Sequence, residues 1–208
     1  MPEHDFKLGV LVSGRGSNLQ AILDAARRNA LSARVAVVIS NKADAPALDR
    51  ARAQGVETLF LDPRQYAGRE AYDRALAEAL RARKVDLVCL AGFMRILSPE
   101  FIRAFPGRII NIHPSLLPAF PGLHAQRQAL EHGVRITGCT VHFVDETVDT
   151  GPILLQAAVP VEEDDDEERL AARILEQEHR IYPEAIQLIA DQRVRIEGRR
   201  ARILEKQP

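Results

Sequence analysis

Leu8-Gly9-Val10-Leu11-Val12-Ser13-Gly14-Arg15-Gly16-Ser17-Asn18-Leu19 is the stretch on which the fold class turns. Its first half is a short apolar run. Its second half passes through two glycines into a segment where Leu19, Ile22, Leu23 and Ala26 recur at i, i+3, i+4, i+7. A buried strand that turns at once into an amphipathic helix is the start of a βα unit. Such a turn aims backbone N–H groups at an anion, the helix dipole adds to the attraction, and the Ser17 and Asn18 side chains add donors. Gly16, Ser17 and Asn18 therefore predict a phosphate-bearing ligand; a tight turn with no ligand is the plainer alternative. A dinucleotide fingerprint does not fit. Its third glycine would fall at Leu19, and the next predicted strand ends in Asn41-Lys42 rather than an acid.

Outward from this unit the pattern repeats. Apolar runs at 35–40, 58–61, 85–91, 109–112 and 140–144 read as further strands, the first five of the six being parallel and buried. Ala71, Tyr72, Ala75, Leu76, Ala79 and Leu80 form a second helical stripe. Strands alternating with helices predict an α/β protein, a doubly wound, mostly parallel, Rossmann-like sheet with helices on both faces. The 208 residues fit a single domain, with a phosphate-binding half over about 1–100, a catalytic half over about 101–190 and a short carboxyl-terminal tail.

Composition narrows the partners. With 28 basic and 29 acidic residues the net charge is -1, so no global field recruits nucleic acid or an anionic membrane, and small solutes are the expected partners. A polar amino terminus and the absence of a long apolar run predict a cytoplasmic protein. Cys89 and Cys139 sit in apolar runs without metal-type spacing, which predicts buried free thiols. The acidic run 162–168 is expected to be solvated and to start a helix. The basic tail 193–206 is expected to be an exposed strand or hairpin.

The chemistry is expected in the second half. Residues 111–122 hold Pro114, Pro118 and Pro121 and cannot continue as regular structure, so they form a long loop beyond a strand end. Asn111 and His113, two apart, share a face. An amide donor beside an imidazole can bind an oxyanion and move a proton, which suits acyl transfer. Asp145, Glu146 and Asp149 share a later polar loop, and any of the three is placed to approach His113. An adjacent carboxylate would favour the imidazolium. His142, within a strand pattern, reads as an inward structural histidine. No serine or cysteine has the setting of a covalent nucleophile, so direct transfer is preferred. Glu178 falls in the apolar stripe of Leu170, Ile174, Ile181 and Ala185, an unusual place for an acid, and is suited to accept from ribose hydroxyls. Pro183 is expected to kink or restart that helix.

SGRGSNL (13–19), LAGFMRILSP (90–99), NIHPSLLPAFPGLHAQRQAL (111–130) and HFVDETVDTGPILLQ (142–156) together resemble the folate-dependent phosphoribosylglycinamide formyltransferases of purine biosynthesis. The resemblance runs from about Leu8 to Pro183. It implies the formyltransferase fold, transfer of a formyl group from 10-formyltetrahydrofolate to the amine of 5-phosphoribosylglycinamide, and no metal or nicotinamide. By resemblance Gly16, Ser17 and Asn18 hold the ribotide phosphate and Glu178 its ribose. Arg69, Met94, Arg95, Ile96, Leu97 and Asn111 lie against the folate. His113 becomes the proton-donating histidine, and Asp149, among the three loop acids, the one that raises its pKa. A monomer or homodimer is expected.

Two formyl-handling relatives share the Asn-x-His-x-Ser-Leu-Leu-Pro segment: methionyl-tRNA formyltransferase, with an added carboxyl-terminal RNA-binding domain, and formyltetrahydrofolate hydrolase, with an added amino-terminal regulatory domain. The length and the early first strand speak against both. A non-enzymatic phosphoribosyl-binding module, built on the glycine loop alone, is the rival from another class. The Asn111 and His113 pair speaks against it.

Overall fold

The computed structural model describes residues 5–205. The first four residues of the polar amino terminus and Lys206 of the basic tail lie outside the described residues. The chain divides into two compact units at Ile110/Asn111.

In the first unit β1 (Phe6–Val12), β2 (Ala33–Ser40), β3 (Thr58–Phe60) and β4 (Leu87–Leu90) hydrogen-bond in the order β3-β2-β1-β4, every pair parallel. Leu8, Val10, Leu11 and Val12 are fully buried, as a strand covered on both faces requires. The helices α1 (Ser17–Arg27), α2 (Pro46–Ala53), α3 (Arg69–Ala82) and α4 (Pro99–Ala104) connect and follow these strands. α1 buries Leu19, Ile22, Leu23 and Ala25, so its apolar stripe closes on Ala25 rather than the expected Ala26. α3 buries Tyr72, Leu76 and Leu80 completely. The chain winds from β1 out through β2 to β3, then returns to the other side of β1 as β4. That reversal is a topological switch point, where ligands bind beyond the carboxyl ends of strands. The glycine loop leaves β1, and residues 91–98 leave β4, on either side of it.

β5 (Ile109–His113) runs across the division. In the second unit α5 (Ala125–Glu131), β6 (Ile136–Phe143), β7 (Ile153–Pro160), α6 (Glu167–Ala190), β8 (Val194–Glu197) and β9 (Arg200–Ile203) follow, and the later strands are ordered β6-β7-β9-β8. β6 and β7 pair antiparallel. β7 was not anticipated as a strand; Gln156 interrupts its apolar run, and from Gln156 to Pro160 its burial alternates, with Gln156, Ala158 and Pro160 turned outward. β6 begins four residues earlier than expected because Gly138 lets the two backbones close up: a Cβ there would stand 1.9 Å from the Ala157 carbonyl oxygen.

The acidic run starts α6 as expected, with the Asp166 carboxylate capping the helix by accepting from Arg169 N at 2.8 Å. Pro183 does not restart the helix. α6 continues to Ala190, forgoing the one bond that a proline nitrogen cannot donate. The basic tail forms the antiparallel β8–β9 hairpin. The α/β, doubly wound, mostly parallel class expected from the sequence is the one found. Among the described residues no helix is long and apolar enough to cross a membrane.

Candidate active site

The glycine loop is shaped by α2. Ala47 N donates to the Gly14 carbonyl at 3.2 Å, and Arg50 Nε to the Arg15 carbonyl at 2.8 Å. In trans peptides the N–H opposes the carbonyl, so the Arg15 and Gly16 N–H groups face away from α2. Gly16 has φ 74°, and a Cβ on it would meet Ala47 Cβ at 2.6 Å, so only glycine fits. Ser17 and Asn18 then open α1, whose first-turn N–H groups lack helical partners. The loop thus has the backbone geometry that an anion cradle requires.

The segment after β4 is anchored at several points. Met94 N donates to Ser13 Oγ at 2.8 Å, and Ser98 N to the buried carboxylate of Asp73 at 2.6 Å. The Arg95 guanidinium lies over the Tyr72 ring, 4.7 Å from its centroid. Met94 and Ile96 stand 66% and 62% exposed, an unusual outlay of apolar surface, whereas Leu97 is buried. Arg95 thus spends its side chain on Tyr72. Burial raises the Tyr72 hydroxyl to about 12, so it stays protonated beside that cation. Arg69 opens α3 and is exposed.

In the second unit four polar side chains converge. His113 Nδ1 stands 3.4 Å from Asp149 Oδ2, and His142 Nε2 stands 3.6 Å from Asp149 Oδ1. Asn111 Nδ2 lies 3.3 Å from His142 Nε2. His113, Asp149 and His142 are all buried at their side chains, by 94%, 90% and 98%. His113 Nε2–H donates to the Phe120 carbonyl at 2.9 Å, and His142 Nδ1–H to the Phe143 carbonyl at 2.9 Å. With Nδ1 on the Phe143 carbonyl, His142 Nε2 faces both Asn111 Nδ2 and Asp149 Oδ1, and the Asn111 amide keeps at least one N–H to give. Asp149 adopts φ 55° and accepts from Gly122 N at 2.8 Å, tying the two loops together.

Of the three loop acids the structure brings Asp149 to His113. Asp145 is spent on its own loop, accepting from Thr147 N and from the Thr147 and Thr150 hydroxyls. Glu146 is exposed. Asp149 does pull His113 toward the imidazolium, as expected, but burial outweighs it, and His113 titrates below the ordinary histidine value rather than above it. Asp149 is itself held below the usual carboxylate range, against its own desolvation, by His142, Gly122 and His113.

Sequence reading missed His142, which belongs to the cluster and not merely to the core. Its signal was present: a histidine next to the last residue of β6, three residues before the first acid of the loop. It also missed the brace beneath the proline loop. Thr140 Oγ1 donates to the Ser115 carbonyl at 2.7 Å and accepts from Leu117 N at 3.1 Å, while Gln156 Nε2 reaches the Leu117 carbonyl at 2.9 Å. Glu178 is buried on α6, and its charge helps push the Cys139 thiol up to about 12. Both cysteines are free and buried, as expected. Among the described residues no group of three His, Cys, Asp or Glu is arranged to hold a metal ion.

Comparison with known proteins identifies the family. Residues 6–186 match the formyl transferase family model. The phosphoribosylglycinamide formyltransferase of Escherichia coli is 52% identical over 187 residues, 90% of this chain and 88% of that one. The trifunctional purine biosynthetic protein adenosine-3 of Drosophila melanogaster is also 52% identical over 187 residues, but the match covers only 14% of that longer protein. The crystal structure of glycinamide ribonucleotide transformylase 1 from Symbiobacterium toebii superposes with a TM-score of 0.96 at 63% identity, over 97% of this chain and 95% of that one. The chain belongs to the formyl transferase family, among the phosphoribosylglycinamide formyltransferases.

Proposed function

We propose that this chain transfers the formyl group of 10-formyltetrahydrofolate to the glycinamide amine of 5-phosphoribosylglycinamide, giving formylglycinamide ribotide and tetrahydrofolate in purine biosynthesis. The buried convergence of Asn111, His113 and Asp149 carries this reading, because an amide donor and a carboxylate-backed imidazole are the parts that acyl transfer to an amine requires. Gly16, Ser17 and Asn18 take the ribotide phosphate, and Glu178 its ribose hydroxyls. Met94 and Ile96 offer exposed apolar surface of the kind a flat pterin covers, with the Arg95 backbone, Leu97, Asn111 and Arg69 completing the folate contacts.

The lowered proton affinity of His113 changes the order of proton movements from that expected. Neutral His113 takes the proton released as the amine nitrogen bonds to the formyl carbon. The free Asn111 N–H and the new imidazolium hold the oxyanion, and Asp149 stabilises the positive ring. His113 then returns the proton to the departing folate nitrogen as its bond to the formyl carbon breaks and the carbonyl re-forms. For this, Nε2 leaves the Phe120 carbonyl and the ring's one proton moves to Nδ1, where it faces Asp149, so that Nε2 presents its lone pair to the substrate. We place the reaction in the cytoplasm, in one formyltransferase domain acting as a monomer or homodimer on small molecules.

The test is turnover of 10-formyltetrahydrofolate with and without glycinamide ribotide, read by the absorbance of the folate product. Ribotide-dependent product is expected. Equal product without ribotide would make the chain a hydrolase, and no product in either case would return weight to a binding module.

A further inference from the structure

Ser13 has no role in that chemistry, yet it ties together the two ligand-facing segments of the first unit. It follows β1 directly and is 3% exposed. Its hydroxyl donates to Asn41 Oδ1 at 2.6 Å and accepts from Met94 N at 2.8 Å, while its own N–H donates to the Gly92 carbonyl at 3.1 Å. A hydroxyl has one proton to give, and here Asn41 takes it. That fixes the rotor and turns the oxygen lone pair toward Met94. Through this one side chain the end of β2 and the first exposed residue of the 94–97 segment are held in register. Its next peptide bond leads into Gly14, the start of the glycine loop. A purely structural serine needs one partner to be satisfied. This one spans three segments that leave three neighbouring parallel strands at their carboxyl ends.

We propose that Ser13 is a positioning residue that couples the glycine loop to the 92–97 segment, so that ribotide bound at the first and folate bound at the second tighten one another. The proposal rests on the functional reading above. Linkage makes it quantitative, since each ligand must change the other's affinity by the same factor.

Calorimetric titration of the full chain with ribotide, alone and with saturating tetrahydrofolate, measures that factor without turnover. Wild type is expected to show about five- to tenfold mutual tightening, the order of one neutral hydrogen bond. In Ser13→Ala the factor should fall toward one, and both KM values should rise more than kcat falls. Ser13→Thr, which keeps the hydroxyl, should restore the coupling. Asn41→Ala frees the rotor while leaving Ser13 in place, and carries the same two outcomes should Ser13→Ala not fold. A wild type with ribotide-dependent turnover but no mutual tightening, or a Ser13→Ala or Asn41→Ala variant that keeps it, overturns the proposal alone. A wild type lacking ribotide-dependent turnover overturns the functional reading and the coupling with it.

Discussion

The loop after β1 and the loop after β5 both leave a strand at its carboxyl end, but they are made of opposite materials. The first presents backbone N–H groups, turned outward because α2 occupies the carbonyls of Gly14 and Arg15, and none of its ligand-facing groups titrates near neutrality. The second ends a strand in a buried side chain, His113, and is tied through Gly122 to Asp149 of the β6–β7 loop, and the proton affinities of both are shifted by their surroundings. Dipoles fixed in the backbone serve to bind, and they cost nothing to hold charged or neutral. Moving a proton needs a group that changes state, and burial makes that change sensitive to each neighbour. The difference divides binding from chemistry, and mutations should separate the two.

The largest effect should come from the second region. Asn111→Ala removes an oxyanion donor and is expected to lower kcat by about 10²–10³ with little change in ribotide KM. A raised KM at normal kcat, from steady-state kinetics, would move Asn111 to the binding side. Asp149→Asn should follow, costing on the order of 10² in turnover, because the imidazolium loses its counter-charge while the Gly122 bond can persist through the amide oxygen. Calorimetry should find ribotide affinity nearly intact, and its loss would contradict the division.

In the first region the expected signs reverse. Gly16→Ala places a Cβ 2.6 Å from that of Ala47 at a φ of 74°, so the loop must shift and its N–H groups with it. Ribotide KM should rise about tenfold or more, the value of one charge-assisted hydrogen bond, with kcat at saturation much less affected. Unchanged KM would show that phosphate is held elsewhere.

The smallest effect is on stability. A histidine whose native pKa is depressed adds stability that is whole above its unfolded value of about 6.5 and is lost as pH falls below it, because only the unfolded chain takes the proton readily. Asp149, also depressed, adds stability present above about 3.8 and lost as pH falls through its native value. Urea unfolding should therefore show a decline beginning near pH 6.5, bounded for one proton at about 1.4 kcal/mol per pH unit. His179 is also depressed by burial and shares that window, so His113→Gln should make the decline shallower without abolishing it, and an unchanged decline would remove His113 from it.

The same contrast explains what could be read from sequence. The glycine loop was legible because its geometry is local: strand, two glycines and helix are adjacent in the chain, and the strand–turn–helix unit is there. The α3 stripe and the acidic run that starts α6 were legible for the same reason. In the second region the residues were nameable but not their relations. Nothing in spacing could choose Asp149 over Asp145 and Glu146; family resemblance did so, and the structure agrees by spending Asp145 on Thr147 and Thr150. His142 was read as structural because a strand pattern hides which residues meet across it. The net shift of His113 was misjudged because the carboxylate is visible in sequence and the burial opposing it is not. β7 escaped because Gln156 interrupts its apolar run and Pro152 and Pro160 flank that run.

The central claim, that chemistry resides at His113 and binding does not, is tested most directly by His113→Ala, assayed for turnover and titrated with both ligands in one preparation. The account predicts turnover reduced by at least about 10³ with ribotide and folate affinities within about threefold of wild type. Turnover near the wild-type rate would contradict it.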